Sequence, residues 1–217
     1  MFKVTLTFDN GPDEETTPFV LDILERHGAK AYFFVLGRNL AVPALRRLAE
    51  RAARAGHRIG NHTYSHTIPF GELARAGDAV DEIRRTQALI GPLAGETKLF
   101  RPFGKGGQIG RHLLNRPALD HLCTEGYTMA LWTCVPGDWK DPDGWPLPAI
   151  EGCTGAPESV VVLHDQPNGA MAHLDSFLTA IADAGGEFVL DLPSLVTPIR
   201  NGLAQADVAA MMPLEAA

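Results

Sequence analysis

The sequence is poor in cysteine. Three occur in 217 residues, Cys123, Cys134 and Cys153, an odd and widely spaced set. That excludes a disulfide framework, and the spacing matches neither a zinc ribbon nor a redox pair. All three read as packing residues in a reducing compartment. No apolar run approaches the roughly 20 residues of a membrane-spanning helix. Positive charge is in deficit: 19 Lys and Arg against 26 Asp and Glu leave a net charge of −7, which argues against nucleic acid or an anionic membrane as partner. No secretory leader precedes the first strand-like stretch, so the chain reads as cytoplasmic. There is no internal repeat and no low-complexity segment. No glycine-rich phosphate loop follows the first strand, which weighs against a nucleotide-binding fold.

What is present is alternation. Residues 3–8 carry apolar residues at Val4, Leu6 and Phe8, the period of a β-strand. Thr16 and Thr17 offer a cap for a helix running to His27, with Gly28 as its stop. Residues 31–36 are a continuous apolar run, as a buried parallel strand would be. Further helices are predicted over 43–55, 71–90, 111–125 (offset by Pro117) and 174–184. Further strands are predicted over 57–61, 98–100, 127–132, 160–164 and 187–192. Residues 136–157, rich in Pro and Gly, read as a long loop with a short helix. Trp145 in that loop is either an anchor or a surface on which a sugar could stack. Seven strands alternating with helices predict an α/β fold, a distorted (β/α) barrel of about seven parallel strands, with an open doubly wound sheet as the alternative. One domain is expected over 1–202, followed by an Ala-rich, loosely docked tail over 203–217.

The polar residues fall at strand ends. Asp9 and Asn10 end the first strand, where Gly11-Pro12 supplies turn chemistry. His62 follows the third strand in Asn61-His62-Thr63-Tyr64-Ser65-His66, and Arg101 the fourth in Arg101-Pro102-Phe103-Gly104. Asp138 and Trp139 lie beyond the fifth, and His164 ends the sixth in Val160-Val161-Val162-Leu163-His164. In a parallel barrel these ends share one face. His62 and His66 are four apart; on a helical turn both imidazoles would face one way and could hold one metal ion, while as loop residues they could simply be polar. Two imidazoles and one oxygen from the first strand describe a catalytic zinc-type site.

These stretches, in this order and spanning residues 7–164, resemble the five motifs of the polysaccharide deacetylase family (carbohydrate esterase family 4, the NodB-homology domain). The resemblance implies a distorted (β/α) barrel and a metal-dependent hydrolase that removes acetyl groups, mostly from N-acetylated sugars. It implies that Asp9 is the base, that Arg101 pairs with and orients it, and that His164 is the acid that protonates the leaving amine. Asp138 would raise the pKa of His164. Asn10, His62 and His66 match the metal ligands, the ion being Zn2+ or another divalent metal. Phe103 stands at a tyrosine position whose backbone N–H helps hold the oxyanion. Trp139 and Val162 would form the slot for the acetyl methyl group.

The chain departs from the family at Asn10, where an aspartate is usual, and at Val135, where a further aspartate is often found. An amide oxygen can ligate a cation but brings no charge, so affinity should fall. Three outcomes are open: Asn10 ligates weakly, Asp9 takes over as ligand, or the protein works without metal. The leading expectation is a metal-assisted hydrolase of an N-acylated sugar or small amide. The alternatives are a metal-independent hydrolase of a small non-sugar amide and a catalytically silent carbohydrate-binding homologue. The expected partner is a small-molecule or oligosaccharide substrate.

Overall fold

The computed structural model describes residues 1–213. Strand β1 (Phe2–Asp9) is buried on both faces. Val4, Leu6 and Phe8 pack outward with the helices, and Thr5, Thr7 and Asp9 alternate to the other side. Full burial of each apolar side chain here contributes about 1.5–3 kcal/mol. The same parity runs through β2 (Ala31–Val35), with Ala31, Phe33 and Val35 outward and Tyr32 and Phe34 inward. In β6 (Glu158–His164), Val161 and Leu163 face the helices while Val160 and Val162 face inward. Two cores result, and the second takes in the helical residues Ala79, Ile83, Leu119 and Leu122 as well as the inward strand residues.

The sheet order is β6-β1-β2-β3 (Arg58–Asn61)-β4 (Leu99–Phe100)-β5 (Thr128–Met129)-β8 (Ile199–Arg200)-β9 (Leu203–Ala204), with β7 (Gly186–Phe188) parallel to the first half of β1. Strands β3, β4 and β5 continue the parallel set. The seven parallel strands thus match the expected count and the expected distorted barrel. After β5 the chain crosses from β4 to β6: Ala130 N donates to Phe100 O, and Thr133 N and Cys134 N donate to Val160 O. A parallel bridge between Cys134 and Val161 draws the two edges together. The single strand predicted over 127–132 is therefore shared between two neighbours.

The helices are α1 (Thr16–Arg26), the short α2 (Gly37–Leu40), α3 (Pro43–Arg54), α4 (Asp78–Ile90), α5 (Arg116–Thr124), α6 (Pro146–Thr154) and α7 (Leu174–Asp183). Three depart from expectation for visible reasons. Thr16 and Thr17 do not cap α1; Asp13 Oδ1 accepts from Glu15 N and Thr16 N instead. The helix predicted over 71–90 begins only at Asp78. Gly71 lies instead in a separate 3₁₀ turn over Phe70–Glu72, packed so closely on the 111–114 segment that a Cβ would lie 2.3 Å from Arg111 O. Asn115 caps α5 by accepting from Ala118 N at 3.0 Å, so Pro117 belongs to its first turn and the helix is shorter than expected.

The chain adds two further strands after the parallel set. Strands β8 (Ile199–Arg200) and β9 (Leu203–Ala204) pair antiparallel, and a 3₁₀ turn over Ala206–Met211 buries Val208 and Met211. Residues 214–217 of the expected tail lie outside the described residues. Trp145 is fully buried, donates from Nε1 to Ala170 O at 2.9 Å and packs on Phe177, so it anchors its loop. Cys134 and Cys153 are buried and all three cysteines are free thiols.

Candidate active site

Asp9 Oδ1 accepts from Arg101 Nη1 at 2.9 Å. Arg101 is wholly buried, and it also donates to Thr7 Oγ1, Ala130 O and Leu131 O. Its guanidinium also lies 4.1 Å over the Phe34 ring. The base position is therefore locked by an arginine that is itself locked. Asp9 Oδ2 is left facing His62 Nε2 at 3.6 Å.

His62 enters from the end of β3. Gly60 makes room below it: a Cβ there would meet the Phe34 ring at 2.5 Å. His62 Nδ1 donates to Arg101 O at 2.8 Å, which fixes the tautomer and leaves Nε2 as the atom with a free lone pair. Residues 62–66 are a loop, not the helical turn considered above. Thr63 and His66 adopt left-handed backbone angles (φ 69° and 53°), and Glu82 Oε2 accepts from Tyr64 N and Ser65 N. This loop brings the His62 and His66 rings to 4.8 Å between centroids, and Phe103 covers His66 at 3.9 Å. Burial pushes both imidazoles below their usual range, His66 to about 2. Both are thus neutral, the form a metal requires.

Across the site, Asp138 is fully buried and grips His164 twice. His164 Nδ1 donates to Asp138 Oδ1 and His164 N donates to Asp138 Oδ2, each at 2.8 Å. Burial lowers the affinity of this imidazole for a proton. The hydrogen bond and charge of Asp138, with Asp9 and Asp165 behind, outweigh it, and the pKa is raised. The Trp139 ring meets His164 edge-on at 4.9 Å.

A cavity of about 330 Å³ joins these groups. Of the ten residues singled out in the sequence, Asp9, Asn10, His62, His66, Phe103, Trp139, Val162 and His164 line it. Arg101 and Asp138 sit behind Asp9 and His164. The sequence reading missed Gly104 to Gly107, Trp132 and Gln166, which also line it. The glycines of Gly104-Lys105-Gly106-Gly107 were the available signal. Asp165, beside His164 at the end of the sixth strand, was given no role from the sequence. It is buried, accepts from Thr17 Oγ1 at 2.5 Å, and presses on Gly11, where a Cβ would lie 2.2 Å from its carboxylate.

Among the described residues no three His, Cys, Asp or Glu side chains are placed to hold a metal ion. Asn10 Oδ1 is buried, lines the cavity and has no hydrogen-bond partner. An orphaned carbonyl oxygen beside two neutral imidazoles, one with a committed Nδ1–H, fits a divalent cation as its missing partner.

Comparison with known proteins decides the lineage. The family model for polysaccharide deacetylase matches residues 2–117. The chain belongs to the polysaccharide deacetylase family. Its chemistry is accordingly hydrolysis of carbon–nitrogen bonds other than peptide bonds. A peptidoglycan-N-acetylglucosamine deacetylase from Bacillus cereus is 34% identical over 198 residues, 89% of this chain and 68% of that protein. A peptidoglycan-N-acetylglucosamine deacetylase from Listeria monocytogenes, 30% identical over 192 residues, is longer, the chain spanning 37% of its length. Among solved structures, a polysaccharide deacetylase from Bacillus cereus is 27% identical with a TM-score of 0.74, covering 94% of this chain and all of that one. A family 4 acetyl xylan esterase from Clostridium thermocellum, solved in complex with a cobalt ion, is 27% identical with a TM-score of 0.70, covering 86% of this chain and 87% of its own.

Proposed function

We propose that this polysaccharide deacetylase hydrolyses the N-acyl group of an N-acetylated sugar or short oligosaccharide, with Asp9 as general base, His164 as general acid and a divalent metal as cofactor. The observation that carries the reading is the pairing of two differently tuned groups across one cavity. Asp9 is clamped by a buried guanidinium with one oxygen free, and His164 is held protonated by a buried carboxylate.

His62, His66 and Asn10 would hold the ion, zinc being suited to imidazole donors. When bound, it supplies Lewis-acid polarisation of the acyl oxygen. Asp9 Oδ2, the oxygen not engaged by Arg101, takes the proton of the attacking water as the new C–O bond forms. The C–N bond then breaks, and His164 delivers the proton on Nε2 to the departing nitrogen, since Nδ1 is held by Asp138. The products are a carboxylate and a free amine. Trp139 and Val162 present apolar surface to the acyl methyl group, and the Phe103 N–H lies on the wall carrying Gly104 to Gly107.

Acetate release from N-acetylated chito-oligosaccharides and peptidoglycan fragments tests this reading. Asp9→Asn and His164→Ala should each lower kcat by roughly 10²–10⁴-fold. Unchanged turnover in both variants would sink the assigned roles. A second reading, a homologue that binds sugar without turnover, is favoured by Asn10 alone. Saturable binding with no acetate released by the wild type would support it.

A further inference from the structure

Trp132 has no place in the chemistry above, yet it touches the cavity wall at several points. Its Nε1 donates to Gly107 O at 2.8 Å. Its ring lies so close on Gly104 that a Cβ there would come within 2.4 Å of Cη2. The side chain is 7% exposed, and its remaining face looks toward the Arg101 guanidinium at 5.9 Å. The segment it holds is a tight turn closed by Gly107 N donating to Gly104 O at 3.1 Å, with Lys105, Gly106 and Gly107 all at positive φ. Beyond the turn, Gly107 presses on Val135, where a Cβ would meet Cγ1 at 2.8 Å. Lys105 Nζ pairs with Glu72 at 2.8 Å on the outer side. A chain of glycines has little stiffness of its own, so its place is set by what holds it.

The Phe103 N–H sits at the start of this segment and donates to no protein group among the described residues. A backbone donor serves an oxyanion only if it is fixed where the negative charge develops, and displacements of an ångström are expensive. We propose that Trp132 is a positioning residue: its ring and indole N–H fix the Phe103–Gly107 turn so that the Phe103 N–H meets the acyl oxygen in the transition state. The proposal rests on the hydrolase reading given above. It also accounts for Gly104 and Gly107, since neither site leaves room for a side chain while the turn stays docked.

The experiment uses Trp132→Phe, which keeps a ring over Gly104 and loses the donor to Gly107, and Trp132→Leu, which loses both. The full chain is assayed with an N-acetylated chito-oligosaccharide, and the backbone amides are followed by NMR. Trp132→Phe should lower kcat by about tenfold with KM within about twofold, and Trp132→Leu should lower it further. The amide resonances of residues 103–107 should shift while those of the Asp138–His164 side stay in place. Gly104→Ala, which displaces the turn with Trp132 intact, should give the same signature and serves if a Trp132 variant does not fold. Unchanged kcat in the Trp132 and Gly104 variants, or a raised KM at unchanged kcat, would overturn the proposal. If the wild type shows no turnover, the hydrolase reading fails separately. The amide shifts still judge the clamp, and unmoved resonances at 103–107 would refute it.

Discussion

Asp9 and His164 are direct partners in the parallel pairing of β1 with β6, each the last residue of its strand. Because side chains alternate along a strand, the parity that turns Thr7 and Val162 inward also turns Asp9 and His164 toward the same cavity. The base and the acid are thus aligned by sheet register; of the partners behind them, Arg101 directly follows β4 and Asp138 comes from the loop beyond the Cys134 bridge.

Removing the charge behind the acid should change the pH profile. His164 is raised because Asp138 outweighs the lowering effect of burial. A raised acid stays protonated to higher pH, and activity falls as pH rises through its pKa. In Asp138→Asn the lowering by burial is no longer offset, so the alkaline limb of kcat against pH should move to lower pH. An unmoved limb would show that Asp138 does not tune His164.

Arg101 is predicted to be a stability residue as well as an orienting one. Arg101→Met strands the buried Asp9 carboxylate and frees the Ala130 and Leu131 carbonyls. Breaking a buried pair in this way costs about 3–5 kcal/mol. Urea unfolding should show a loss of that order. Adding Asp9→Asn to Arg101→Met should recover part of it, because no unpaired charge then remains. Additive losses would contradict the coupling.

Much of this site was legible in the sequence because strand parity and strand-end position are local properties. Val4, Leu6 and Phe8 gave the face of β1, and Asp9 followed from it. What was not legible depended on partners distant in the chain. The hydroxyl of Thr17 reads as a helix cap, but Asp165, 148 residues away, takes it. The 127–132 run reads as one strand, yet its two halves pair with different neighbours. The His62–His66 spacing suggests a helical turn, whereas Glu82 on α4 holds those residues in a loop. Trp132 reads only as the end of the 127–132 strand, and the glycine turn that packs on it comes from a stretch some 25 residues earlier.

Asp165 should make stability depend on pH. Burial raises its carboxyl from 3.8 to about 7, and one oxygen has no hydrogen-bond partner. A group raised on folding contributes stability that is fully present below about pH 4 and lost as pH rises toward 7. Asp165→Asn keeps an acceptor for Thr17 and removes the charge. Its Tm should exceed that of the wild type at pH 8, by an amount worth a few kcal/mol, and the gain should vanish near pH 4. An equal gain at both pH values would show that the carboxyl does not titrate on folding.

The most direct measurement is a calorimetric titration of chelator-treated protein with zinc or cobalt(II), with Asn10→Asp and His66→Ala alongside. A single ion should bind to the wild type, with affinity higher by about an order of magnitude or more in Asn10→Asp and binding lost in His66→Ala. Acetate release should track occupancy. A wild type that binds neither ion yet turns over in the presence of chelator would contradict the account at its centre.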